Sequence, residues 1–100
     1  VAIRNACSKL NTFTLNGCQI YSSCEPCPMC LSAIYWSRIE AVYFAADRKD
    51  AAKIGFDDDF LYNEFTKKIN DRSLPFKQIK IDTATTPFIQ WQNWEGKTKY

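Results

Sequence analysis

Apolar residues along the chain recur first at a helical spacing and then in short runs. Over Val1 to Leu10, Ile3, Ala6, Cys7 and Leu10 share one face, while Arg4, Asn5, Ser8 and Lys9 share the other, which predicts an amphipathic helix. No Ser, Thr, Asp or Asn cap and no first-turn acid opens it, so the chain is expected to begin inside an element. Asn11 to Gly17 is a polar connection that closes on an Asn-Gly turn signal. Cys18 to Ser22 predicts a short strand, and a helix is expected from about Pro28 to Ser37. Ala41 to Ala46 is almost wholly apolar, as in a strand buried on both faces of a parallel sheet.

Beyond it, Asp47 to Gly55 is polar and turn-like, with room for one helical turn. A helix follows through about Lys67, capped by Asp57 or Asp58, because acids suit the positive end of a helix. Asn70 to Pro75 reads as a loop. Phe76 to Ile81 alternates, with Ile79 and Ile81 on one face, which predicts a strand. Thr86 and Pro87 read as the cap and first position of a last helix, with Phe88, Trp91 and Glu95 on one stripe and Trp94 beside it. Gly96 ends it, and Lys97 to Tyr100 is a polar tail. Helix and strand alternate throughout. That order implies an α/β fold, with a mostly parallel or mixed sheet between helix layers in an α-β-α sandwich. Three strands make a thin sheet, so first strands and a helix are expected upstream. No internal repeat, linker or low-complexity segment interrupts the pattern.

Composition narrows the class. One hundred residues make one small domain or part of one, and 46% apolar content with 15% aromatics suits a packed core. A net charge of +2 with scattered Lys and Arg makes no demand for nucleic acid or an anionic membrane. No apolar run approaches the roughly 20 residues of a membrane span, and the pattern of a signal peptide is not expected. Five cysteines is an odd count, and three of them crowd into Cys24 to Cys30. Metal or thiol chemistry in a reducing compartment fits this better than a disulfide framework, so a cytoplasmic location is expected.

The chemistry concentrates in Ser23-Cys24-Glu25-Pro26-Cys27-Pro28-Met29-Cys30. Proline suits the first helical turn, which needs no backbone donor. Cys27 and Cys30 then share one face of that turn, where the helix end is expected to favour their thiolates. Spacing alone leaves four possibilities open. These are half of a zinc site, a thiol redox pair, an iron-sulfur loop, and a structural knuckle or inert thiols. A catalytic zinc keeps three protein ligands, and the sequence contains no His. The third ligand is therefore absent, is Cys24, or lies upstream of Val1.

The stretch Ser-Cys-Glu-Pro-Cys-Pro-Met-Cys, followed by Ala33-Ile34-Tyr35-Trp36-Ser37-Arg38, resembles the zinc-dependent nucleobase deaminases of the cytidine deaminase-like fold. Their signature is H-x-E followed by P-C-x-x-C, and Pro26 to Cys30 matches the second half. Within that group, Ala45-Ala46-Asp47-Arg48-Lys49-Asp50-Ala51-Ala52, the Gly55-Phe56-Asp57-Asp58 run and the terminal Lys99-Tyr100 are similar to the bacterial guanine deaminases. The resemblance implies that residues 1–100 are the C-terminal two-thirds of a single deaminase domain, with the family's His-Ala-Glu just before Val1. It implies Zn2+ as cofactor, with Cys27 and Cys30 as ligands, and hydrolysis of guanine to xanthine and ammonia. It implies that Asp58 contacts guanine and assists proton transfer, that Trp36 joins the aromatic pocket, and that Tyr100 closes it. A homodimer with exchanged C-terminal tails is implied as well. Related outcomes are a deaminase of the same fold acting on tRNA adenosine or cytosine, and a non-enzymatic metal-binding fragment. Cys24 is expected to be a bystander, Cys7 and Cys18 core residues, and Trp91 and Trp94 packing residues.

Overall fold

The structure is a computed structural model and describes residues 1–99, so Tyr100 lies outside the described residues. Helix α1 (Ala2–Leu10) ends on Asn11, whose left-handed backbone returns its N–H to the carbonyls of Cys7 and Ser8. Ile3, Ala6 and Cys7 are half-buried on its inner face, while Leu10 at its end is exposed. Gly17 takes the positive φ of 78° that the Asn-Gly turn requires, and its N–H is held by Glu40 Oε1 at 2.9 Å. Strand β1 (Gln19–Cys24) then pairs in parallel with β2 (Ala41–Ala46), Gln19 opposite Ala41 and Cys24 opposite Ala46. Parallel neighbours cannot be joined by a tight turn, and helix α2 (Pro28–Trp36) is the crossover between them. Pro28 opens it, as expected, and Ile34, 4% exposed, anchors it in the core with Leu15 and Ala51.

Three expectations are corrected. Asp47 to Gly55, read as turn-like with room for one helical turn, holds a six-residue helix, α3 (Arg48–Lys53). A reciprocal cap nucleates it: Asp50 N–H donates to Asp47, and Asp47 N–H donates to Asp50. Strand β2 is not buried on both faces, because Tyr43 and Phe44 are exposed and Tyr43 stacks on Tyr21 at 4.9 Å. Phe76 to Ile81 forms no strand, and the sheet of the described residues has two strands rather than three. Alternation marks a strand only if a neighbour supplies the ladder, and here Ile79 stands 80% exposed with no strand paired to it among the described residues.

Helix α4 (Asp58–Thr66) packs against α2 and α3, and Asp57 is its cap, accepting from Phe60 N–H at 3.2 Å. A single 3-10 turn (Ile69–Asp71) leads to an irregular stretch and helix α5 (Thr86–Asn93), where Trp91 and Trp94 meet edge to face at 5.5 Å. The whole is flat, 47 × 40 × 17 Å, with a radius of gyration of 17.9 Å. A compact domain of this length measures about 13 Å. The accessible surface of 8711 Å² likewise exceeds the roughly 5,800 Å² of a compact chain of this mass. Phe88, Ile89, Trp91 and Trp94 of the C-terminal part all stand exposed. Residues 1–66 thus hold the sheet and its helices, and the C-terminal arm adds surface without adding core.

Glu64, 7% exposed, ties the end of α4 to the following loop by accepting from Lys67 Nζ and from Ser73 N–H, the latter at 2.9 Å. The Lys67 contact first, then the Ser73 bonds, hold its carboxyl down at about 2, against an ordinary 4.5. A depressed carboxylate stabilises the fold above its unfolded value and loses that contribution as pH falls through the folded one. Glu64→Gln in the intact protein is therefore expected to lower the melting temperature at pH 7. It should also flatten the loss of stability between pH 4.5 and about 2, as read by circular dichroism melts across that range. An unchanged acid limb would assign the clamp no energetic role.

Candidate metal and substrate site

The site forms where β1 hands over to α2. The ladder is carried one residue past Cys24, because Glu25 N–H donates to the Ala46 carbonyl at 2.8 Å. Two prolines then bracket Cys27. A residue before proline is pushed into extended backbone, and Cys27 has φ −64° and ψ 165°, while Pro28 takes the first helical position. Cys27 becomes the helix cap and Cys30 the third helical residue, so the two thiols meet on one side of the opening turn. Their mutual hydrogen bond pushes the Cys30 thiol up, as do burial and the neighbouring Cys27 charge, with a smaller push from Asp58. This corrects the expectation that the helix end favours the thiolate at Cys30. Two like groups in contact each oppose the other's ionisation, and the paired thiol outweighs the helix end.

A soft divalent cation answers that repulsion, so the donor set suits zinc as two of its ligands. Among the described residues no His, Cys, Asp or Glu side chain joins the pair as a third. The Cys24 Sγ reaches the Asp47 carbonyl at 3.9 Å. All five cysteines are free, and Cys7 and Cys18 are half-buried.

A cavity of about 910 Å³ opens beside the thiols, walled by Ile20 and Ser22 of β1, Glu25, Cys27 and Cys30 of the loop and α2, and Asp58 of α4. It lies outside the carboxyl end of β1, where ligands bind in open α/β sheets. Asp58 is one residue past the cap, and because Asp57 supplies that cap, Asp58 is left on the cavity wall. Trp36, expected in the pocket, is not among the lining residues. It is 63% exposed at the far end of α2, with the Arg38 guanidinium 6.0 Å from its ring centre. Tyr100 lies outside the described residues.

A second layer behind the loop has no counterpart in the sequence reading. Glu25 Oε2 accepts from Arg48 N–H at 2.8 Å, and Tyr62 Oη donates to the Pro26 carbonyl at 2.8 Å. The Arg48 guanidinium lies over the Tyr62 ring at 4.4 Å and pairs with Asp59 at 3.5 Å. Burial first, then the Glu25 charge, pushes the Tyr62 hydroxyl up. These partners are 23 and 36 residues apart in the chain, and no local pattern marks them.

Residues 1–46 match the family described as the cytidine and deoxycytidylate deaminase zinc-binding region. The chain is 48% identical over 99 residues to the guanine deaminase of Bacillus subtilis strain 168, covering 99% of this chain and 64% of that protein. The crystal structure of a Bacillus subtilis guanine deaminase superposes with a TM-score of 0.94 at 48% identity, over 99% of this chain and 63% of that one. A tRNA-specific adenosine deaminase of Aquifex aeolicus is 52% identical over 50 residues, 49% of this chain and 33% of that protein. The chain thus spans a little under two-thirds of its guanine deaminase relative, and the likeness runs through α4 and the C-terminal arm as well as the cysteine loop. By its superposition and this end-to-end likeness, the chain has the cytidine deaminase-like fold, and its proline-bracketed cysteine pair lies in the stretch that matches the zinc-binding region.

Proposed function

We propose that the intact protein is a zinc-dependent aminohydrolase that converts guanine and water to xanthine and ammonia, in the breakdown or salvage of purines. The observation that carries this is the shared wall of one cavity, where Cys27, Cys30 and Asp58 stand together. End-to-end likeness to a guanine deaminase supports the choice of base, whereas the tRNA-specific relative matches half of the chain. Zinc bound by Cys27, Cys30 and a ligand outside the described residues would supply an activated water and a Lewis acid. Asp58 accepts hydrogen bonds from the N–H groups of the base, orients its amino-bearing carbon toward the thiol pair and assists proton transfer to the departing amine. The apolar part of the wall, Ile20, Ile34 and Phe56, excludes water from the face of the ring.

In this reading Trp36 and Tyr100 are pocket aromatics, and Trp36 needs a surface that covers it. A second copy supplies that surface in a homodimer with exchanged C-terminal tails. The excess surface and the arm that adds no core support this arrangement. Five free cysteines support a reducing, cytoplasmic setting, and among the described residues no helix is long and apolar enough to cross a membrane.

Cys27→Ser and Cys30→Ser in the intact protein are each expected to lose bound zinc, and Cys24→Ser to keep it, as measured by elemental analysis. Retention of zinc by either of the first two would move the metal elsewhere. Asp58→Ala is expected to lower kcat for ammonia release from guanine by about a hundredfold or more at unchanged zinc content. Ammonia release from cytosine and none from guanine would sink the choice of base. Sedimentation of the intact protein should show a dimer that dissociates when residues 76–100 are deleted.

A further inference from the structure

The thiol pair and the acid belong to different elements. Cys27 follows a loop that leaves β1, whereas Asp58 opens α4. One side chain spans the interval between them. Tyr62 is four residues after Asp58, hence on the same face of α4, and its hydroxyl donates to the carbonyl of Pro26, the residue before Cys27.

The bond is well supported. The Arg48 guanidinium over the ring at 4.4 Å fixes its tilt, and Asp59 holds Arg48 in turn at 3.5 Å. Arg48 also secures the preceding loop residue, because its N–H donates to Glu25 Oε2 at 2.8 Å. The two residues ahead of Cys27 are thus both tied to the α3–α4 pair, and the half-buried Pro26 carbonyl finds its partner there. Tyr62 is absent from the residues that line the cavity, so it does not meet a bound base directly.

We infer that Tyr62 is a positioning residue, which sets the separation of Asp58 from the Cys27–Cys30 pair through its hydrogen bond to the Pro26 carbonyl. The inference rests on the reading of that pair as zinc ligands and of Asp58 as the substrate acid. Tyr62→Phe keeps the ring and its contact with Arg48 and removes only the bond. In the intact, zinc-loaded protein it is expected to cut kcat for guanine about five- to tenfold, the worth of one hydrogen bond, with KM within about twofold of wild type. Transfer of zinc to a chelator should quicken by a similar factor. Tyr62→Leu, which also loses the ring, should lower the melting temperature further. A purely structural Tyr62 predicts that the Phe variant matches wild type in kcat and in zinc transfer, whether or not its melting temperature falls, and that result overturns the inference. Wild-type protein that transfers zinc slowly but releases no ammonia from guanine would overturn the reading of the substrate instead. Faster zinc transfer in the Phe variant of that protein would still uphold Tyr62 as the anchor of the cysteine loop.

Discussion

The parallel ladder between β1 and β2 is the constraint on which the site depends. Parallel strands have their carboxyl ends on one side, and the crossover that joins them must start there. Cys24, Glu25 and the proline-bracketed Cys27 therefore emerge at the same edge as Ala46 and Asp47. The opening turn of α2 and the start of α3 become neighbours before any side chain is specified. Everything chemical is then a matter of what those two starts carry. α2 carries thiols. The start of α3 carries Arg48, whose N–H and guanidinium reach back to the loop and across to α4.

That edge is clamped from behind. Glu25 and Pro26 each take one long-range hydrogen bond, and the donors lie on adjacent helices linked by the Arg48–Tyr62 stack. A surface ion pair such as Arg48–Asp59 contributes little alone. Here its use is geometric, since it keeps a guanidinium over an aromatic face while the same residue's backbone holds the loop. The polar partners of this layer satisfy one another behind the wall on which Cys27, Cys30 and Asp58 stand.

The remainder of the molecule is open. Leu15, Ile34 and Ala51 form the buried apolar core, against a long series of exposed aromatics that runs from Tyr21 to Trp94. Burial of apolar area is the main favourable term in folding, at about 25 cal/mol per Å². Much of that apolar area lies outside the core, because the described residues offer few layers to cover it. The flatness of the body, 17 Å in its thin direction, has the same cause: helices and strands with too few layers to close around them.

What the amino-acid order determined by itself was local. Pro28 placed the start of α2, the Asn-Gly pair placed the turn at Gly17, and the spacing of Cys27 and Cys30 put two thiols on one helical turn. Each depends on backbone rules that act over a few residues. The same rules misread Phe76 to Ile81, because alternation describes a strand's faces and says nothing about the neighbour that must pair with it. They allowed α3 one helical turn, and the reciprocal Asp47–Asp50 cap makes that short polar run a six-residue helix. Only the tertiary structure decided that Asp57 caps α4 and leaves Asp58 to the cavity, that Cys24 meets the Asp47 carbonyl, and that Tyr62 reaches Pro26. The last two are contacts across 23 and 36 residues, distances over which chain order carries no periodic signal and only packing brings groups together.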